Sequence, residues 1–228
     1  PIDWWFWVAL VGQAGGVVIE PDGEVSLGGA AGVEGLRFWQ RFVREKKGMK
    51  PPPGRDFNAW EATNNDFLAG RVAMIWTSTA FLRYLEDNAS FDVATAPLPA
   101  HKRRSVPTGG TFFVVPRGVE GAELEGALAF LRWMMAAPQV IEWATSTGYM
   151  PVSAPALAQL EQDGFYRRHP NDRVTLDQLA HAQPWPWAAE LFRVQREAVQ
   201  PRLEAAVLEQ MDPARALDQA RKSLRGGD

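Results

Sequence analysis

Gly70-Arg71-Val72-Ala73-Met74-Ile75-Trp76-Thr77-Ser78-Thr79-Ala80 is the stretch whose reading decides the fold. Gly70 stands where glycine closes a helix. Val72 to Trp76 is an unbroken apolar run, the pattern of a short strand covered on both faces. Thr77, Ser78 and Thr79 follow at once, where the N-cap of a new helix belongs. A helix start offers free backbone N–H groups and a positive dipole end, which suit an anion or a polyol oxygen. Open α/β sheets bind ligands at the carboxyl ends of their strands. Ser78 is therefore a cap alone, or a cap that also meets a ligand; the local sequence leaves both open.

Upstream, Ile2 to Leu10 is dense in aromatic residues and reads as a helix stopped by Gly12, Gly15 and Gly16. Residues 17–27 read as a β-hairpin around Pro21-Asp22-Gly23. A loop over 28–32 precedes a helix with Val33, Leu36, Trp39, Phe42 and Val43 on one face. Pro51-Pro52-Pro53-Gly54 forms a stiff connector. Helix then resumes from Phe57 to Ala69.

Downstream, a helix over 79–87 leads to a second strand, 91–95, and an extended exit through Ala96-Pro97-Leu98-Pro99. His101-Lys102-Arg103-Arg104 is a short basic run of the kind that usually forms a solvated loop. Gly109-Gly110, which lets backbone approach a neighbour or ligand closely, precedes a third strand over 111–115. The remainder reads as helical. Leu124, Leu128, Leu131 and Met135 share a face over 121–137, Pro138 opens the next helix, and Gly148-Tyr149-Met150-Pro151 is a sharp turn. The longest helix, 188–211, carries Pro201 and so predicts a kink.

Composition narrows the function classes. With 228 residues, 46% of them hydrophobic, the chain can bury a sizeable core as one large domain or two small ones. A net charge of −3 argues against a nucleic-acid binder held by bulk charge. No apolar run of membrane-spanning length occurs, and the absence of cysteine removes disulfides and thiol chemistry. His101, His169 and His181 are scattered, which speaks against a metal site. The chain starts at Pro1 and reads as a processed or cut piece. Ten tryptophans are the outlier. Trp39, Trp133 and Trp143 fall on helical apolar faces and predict core. Trp4, Trp5, Trp7, Trp185 and Trp187 sit in terminal or irregular stretches, where an indole either closes a core edge or stacks on polyol C–H faces or a quaternary ammonium.

Several stretches together resemble the carboxy-terminal portion of the extracellular solute-binding proteins of ABC importers, in the group that includes maltose-binding protein. They are Phe67 to Met74, Phe91-Asp92-Val93 with Ala96 to Pro99, Gly109-Gly110, the Phe130 to Pro138 helix, Trp143 with Thr147 to Pro151, and Pro213 to Leu217. Each is weak alone; their order and spacing carry the resemblance. Within the group the chain is most similar to sn-glycerol-3-phosphate-binding proteins. The resemblance implies an α/β, two-lobed type II periplasmic-binding fold, incomplete here for want of most of the amino-terminal lobe. It places 1–106 in the second lobe, 107–150 crossing to complete the first, and 151–228 back in the second.

The same resemblance implies a binding receptor rather than an enzyme. Such a protein captures glycerol-3-phosphate or a glycerophosphodiester by hinge closure and delivers it to membrane permease subunits. Matched position by position, it assigns ligand contact to Ser78, to Gly109 or Gly110, to Tyr149, to Arg196 and, less directly, to Trp4 and Trp5. A phosphate wants a guanidinium fork, hydroxyls and N–H donors. The resemblance further implies a periplasmic or extracellular monomer without cofactor or metal, anchored as a lipoprotein if the missing part supplies the anchor. Three alternatives stay open: a receptor for a neutral sugar or oligosaccharide, a structural or interaction-only module, and a carbohydrate hydrolase using paired carboxylates. No Gly-x-Ser-x-Gly, P-loop or His-Glu-x-x-His motif supports the last.

Overall fold

The computed structural model describes residues 2–45, 48–50, 56–110, 112–209 and 211–225. In chain order the helices are α1 (Trp4–Gln13), α2 (Gly29–Arg44), α3 (Asp56–Leu68), α4 (Leu82–Asn88), α5 (Gly121–Met134), α6 (Ala137–Thr147), α7 (Ala154–Gln162), α8 (Phe165–Arg168), α9 (Pro170–Gln178), α10 (Gln200–Leu208) and α11 (Pro213–Arg225). Two short strands, β1 (Val106–Pro107) and β2 (Ala182–Gln183), pair in parallel. The connector expected at Pro51–Gly54 and residue Thr111 lie outside the described residues.

The chain forms two compact units. Unit 1 comprises Pro1–Trp76, Leu98–Gly109 and Ala180–Asp228; unit 2 comprises Thr77–Pro97 and Gly110–Leu179. Segments 77–97 and 151–179 fall together in unit 2. A polar network explains why these two segments go together. In unit 2, Arg83 on α4 donates Nη2 to both carboxylate oxygens of Asp172 on α9 at 2.6 Å. It also pairs with Glu86 and donates Nε to Thr145 O at 2.8 Å. Asn171 bonds Glu86, Val93 O and the backbone N–H of Thr95. Burial works against the Arg83 charge, but the carboxylates of Asp172 and Glu86 outweigh it and its pKa is raised.

Unit 1 is organised on α1. Asp3 caps it, its side chain accepting from Trp5 N–H at 2.7 Å. The helix carries no charged residue and is apolar all round, so it is buried all round: Trp4, Phe6, Trp7, Val8, Leu10 and Val11 all belong to the core. α2 crosses it through Gly32 and Gly35. A Cβ at Gly35 would lie 3.1 Å from Leu10 Cβ, and the Trp7 indole N–H reaches Gly32 O at 3.3 Å. This close approach explains why the glycine-rich 28–32 stretch, expected as loop, mostly joins the helix. Leu36 and Trp39 of α2, Leu203 and Val207 of α10, and Ala216 and Leu217 of α11 complete the core. The basic run is a solvent-exposed loop, as expected, and its side chains also hold it to α1 and α2. Arg103 donates Nε to Gly12 O at 2.6 Å, and Lys102 reaches Ala14 O and Glu34, so cations sit on the carbonyl end of α1.

Elsewhere the expectations need correction. The hairpin at 17–27 does turn at Gly23, closed by Glu20 N–H to Glu24 O and Leu27 N–H to Val18 O, but too few such bonds form for strands. The runs at 72–76, 91–95 and 112–115 are not strands either. A strand exists only as part of a ladder, and among the described residues laddering is confined to β1 and β2. Met74 is 86% and Phe112 83% exposed, the reverse of the burial that the apolar runs predict. Trp39 is core as expected, whereas Trp133 and Trp143 are more than half exposed. Residues 165–168 form α8.

Over 188–211 the single kinked helix is replaced by a π-helix, Arg193–Val199, running into α10. Pro201 explains it. Proline has no N–H for the fourth carbonyl back and its ring crowds that carbonyl. The backbone widens by one residue instead, and Gln200 N–H bonds Gln195 O, five residues back.

Candidate functional site

The residues assigned by resemblance divide between the units. Trp4, Trp5, Gly109 and Arg196 belong to unit 1; Ser78, Gly110 and Tyr149 belong to unit 2.

In unit 1 the β1–β2 pair delivers the site. Its register is Val106 with Ala182 and Pro107 with Gln183. Thr108 Oγ1 then donates to Gln183 O at 2.8 Å and prolongs the pairing. Gly109 follows at the carboxyl end of β1, where α/β folds place ligands. The Trp5 ring lies on it so closely that a Cβ at Gly109 would be 2.6 Å from Trp5 Cη2. A side chain at Gly109 would have to push that ring aside. Trp5 is half-buried, with its ring centroid 4.7 Å from that of Trp185 at a 33° tilt.

Trp4 differs from its neighbour. Its side chain is fully buried, with the ring 5.7 Å from Trp7 and 6.4 Å from Trp185. It underlies the aromatic group rather than presenting a face to solvent. Its backbone N–H is taken by Gln200 Oε1 at 3.1 Å, while Gln200 Nε2 donates to Ile2 O. Arg196, partly buried, stands in the π-helix one turn before Gln200. The wider helix created by Pro201 thus sets where Arg196 emerges relative to the start of α1.

In unit 2, Ser78 is an N-cap: its Oγ accepts Ala80 N–H at 3.2 Å and its carbonyl accepts Phe81 N–H at 3.1 Å. The element it caps is a 3₁₀ turn, Thr79–Phe81, which continues into α4. Gly148 ends α6 with φ 98° and packs on that turn, since a Cβ there would lie 2.6 Å from Thr79 O. Tyr149 follows directly, its N–H on Thr147 Oγ1 at 3.1 Å and its ring 6.2 Å from that of Trp143. The structure therefore brings the Ser78 turn and the Gly148-Tyr149 turn together. Gly110 is exposed and has open space where a Cβ would go, so packing does not dictate glycine there.

Trp185 was legible only as one ring of an unusual Trp-Pro-Trp triplet; its partnership with Trp5 depends on the strand register. Among the described residues no group of His, Asp and Glu is placed to hold a metal ion, and no helix is long and apolar enough to cross a membrane.

Comparison with known proteins gives a consistent picture. The model of a family described as bacterial extracellular solute-binding protein matches residues 1–171. The sn-glycerol-3-phosphate-binding periplasmic protein UgpB of Yersinia pestis is 25% identical over 181 residues, 75% of this chain and 40% of that protein. Its counterpart in Pectobacterium atrosepticum is 24% identical over 173 residues, 72% of this chain and 39% of that protein. Among solved structures, UgpB from Mycobacterium tuberculosis in complex with glycerophosphocholine superposes with a TM-score of 0.81 at 23% identity, covering 97% of this chain and 54% of that one. Maltose-bound T. maritima MalE3 gives the same TM-score at 19% identity, covering 97% and 56%. These likenesses establish the type II periplasmic-binding-protein fold. The chain spans about 40% of the length of the curated relatives it matches.

Proposed function

We propose, from the premise that this chain belongs to the bacterial extracellular solute-binding protein family, that it forms part of the receptor of an ABC importer for glycerol-3-phosphate or a glycerophosphodiester. The observation that carries the reading is the aromatic wall at the end of β1, where the Trp5 ring lies so close over Gly109 that a Cβ there would be 2.6 Å from it. Such a wall suits the C–H face of a glycerol, and a guanidinium fork suits its phosphate. On this reading Trp5, Gly109, Gly110, Ser78, Tyr149 and Arg196 contact ligand in the complete protein, with Trp4 supporting Trp185 from beneath. Binding involves no covalent step; lobes of the complete protein close on the ligand by hinge bending. It works as a monomer in the periplasm or outside the cell, held as a lipoprotein where it is anchored, and hands its ligand to membrane permease subunits.

The likeness to sugar-binding relatives supports a second reading, a receptor for a neutral oligosaccharide. Calorimetric titration of the polypeptide as made from its own gene separates the two. The phosphate reading expects binding of glycerol-3-phosphate or glycerophosphocholine that is lost at least tenfold in Arg196→Ala, removal of a charge-assisted contact being the cause. Undiminished binding of the phosphate compound by that variant overturns the assignment of Arg196. Binding of maltose alone, indifferent to Arg196→Ala, replaces the first reading by the second.

A further inference from the structure

Beyond the residues already assigned, we propose that Trp185 is a ligand-contacting residue, and that, beside Trp5 at the glycerol, it reads the substituent carried on the far side of the phosphate. The inference rests on the phosphate reading above and decides between its two ligand classes. Strand register carries it. In a parallel pair, residues advance in step. With Val106 level with Ala182 and Pro107 level with Gln183, two further residues bring Gly109 level with Trp185. The Thr108 hydroxyl on Gln183 O shows that the two chains stay together past the last ladder pair. Both residues thus leave the carboxyl ends of adjacent parallel strands, the place where α/β folds present ligand contacts.

The Trp5 ring joins them, resting on Gly109 at one side and against Trp185 at the other. The 33° tilt between the two indoles makes a wedge rather than a flat stack, and Trp4 meets Trp185 edge-on at 68° from beneath. Rings 4.7 Å apart leave no slot between them, so a ligand meets the open side of the wedge. Trp5 and Trp185 are each half-buried, so part of each ring remains accessible. Pro184 and Pro186 flank Trp185 and limit its backbone freedom, which holds the indole in place before any ligand arrives.

An electron-rich indole face attracts C–H groups that carry positive charge, most strongly an alkylammonium. A trimethylammonium on a phosphodiester fits this chemistry. Glycerol-3-phosphate carries nothing beyond its phosphate and gives Trp185 nothing to read. Trp185 is therefore a specificity residue for diester over monoester.

The test is calorimetric titration of the polypeptide as made from its own gene, with glycerophosphocholine and glycerol-3-phosphate, as wild type, Trp185→Ala and Trp185→Phe. Trp185→Ala is expected to weaken glycerophosphocholine about tenfold, a cation–π contact's worth, and to leave glycerol-3-phosphate within about twofold. Trp185→Phe is expected to restore most of the diester affinity. Equal losses for both ligands would mean a structural role, and no loss for either would mean no role; each overturns the proposal while leaving the phosphate reading intact. A wild type that binds neither phosphate compound sinks the phosphate reading and this inference with it. Melting temperatures of the ligand-free variants identify a folding defect, in which case the Phe variant decides.

Discussion

Among the described residues the fully buried aromatic rings lie in unit 1, although Trp187 and Phe192 of that unit are exposed. Trp4, Trp7, Trp39 and Phe6 of unit 1 are out of water. In unit 2, Phe112 is 83%, Trp133 56% and Trp143 55% exposed, and α5 buries no residue. Both units are rich in apolar sequence, so composition does not separate them. What separates them is whether the chain itself supplies the covering layer. α1 is roofed by α2, α10 and α11, all from these 228 residues. The run Phe112–Val115 has an apolar pattern that asks for strands on its edges and layers on its faces, and among the described residues none pairs with it. Solved relatives of the same fold match this chain over little more than half of their own length. An apolar pattern therefore says which faces must be covered, and not which part of a protein covers them.

The sharpest way to break the contrast is truncation of a large ring in each unit. Trp7 is fully buried and its indole N–H serves Gly32 O. Trp7→Ala is expected to cost about 4 kcal/mol through cavity and lost contacts, in urea unfolding of the 228-residue chain. Trp133→Ala is expected to change stability by no more than about 0.5 kcal/mol, because its ring has little packing to lose. Equal costs would show that the two units are packed alike.

What holds unit 2 together is polar, and the next effect measures it. Asp172 is buried and accepts both bonds of Arg83 Nη2. Asp172→Ala leaves the guanidinium to Glu86 and Thr145 O alone and is expected to cost about 2 kcal/mol. Unfolding followed by a probe in unit 2 should report the loss. A cost near zero would mean that packing of Leu82, Leu85, Val140 and Leu160, and not the ion pair, carries the unit.

These contrasts mark what the sequence could and could not reveal. Helices with caps or flanking proline were legible: Ser78 does cap, Pro138 does open α6, and Gly148 does end it in a left-handed turn. Pro201 was recognised as a disturbance, but its answer, a π-helix, is one of several ways a backbone avoids the same clash. The run Val72 to Trp76 was read correctly as apolar and wrongly as buried, because burial depends on neighbours that a local window does not contain. The family was legible from the order of weak motifs. The pairing of Trp5 with Gly109 and Trp185 was not, since it follows from the register of two strands 76 residues apart.

A smaller effect appears in acid. Asp66 on α3 pairs with Lys50 Nζ at 2.8 Å and Arg71 Nε at 2.6 Å. Hydrogen bonds from Lys50 and then Arg71 hold its carboxyl below the ordinary aspartate value of 3.8. A carboxyl that binds its proton more weakly folded than unfolded stabilises the fold at pH above that value. The contribution fades as pH falls below 3.8 toward the folded value. Asp66→Asn is expected to flatten the stability profile there and leave unit 2 unaffected. An unchanged profile would show that solvent already screens the pair.

The smallest expected quantity is the free energy of opening at Phe112–Val115, and it tests the comparison most directly. An amide is slow to exchange when a hydrogen bond must break to release it. The amides of Trp7 to Val11 sit inside a capped helix buried on every side, and are expected to exchange only with large-scale unfolding of unit 1. Those of 112–115 lack a ladder partner among the described residues and flank a side chain 83% exposed to water. In hydrogen exchange on the 228-residue chain they should open at a cost near zero. Protection of 112–115 that is independent of protein concentration would show a covering layer within this chain and erase the difference between the units. Protection that grows with concentration would mean that a second copy pairs with the exposed edge, as unpaired strands do. Protection appearing only in a longer polypeptide would place the missing strands outside these residues. It would also turn the exposed face of unit 2 from a surface into an interior.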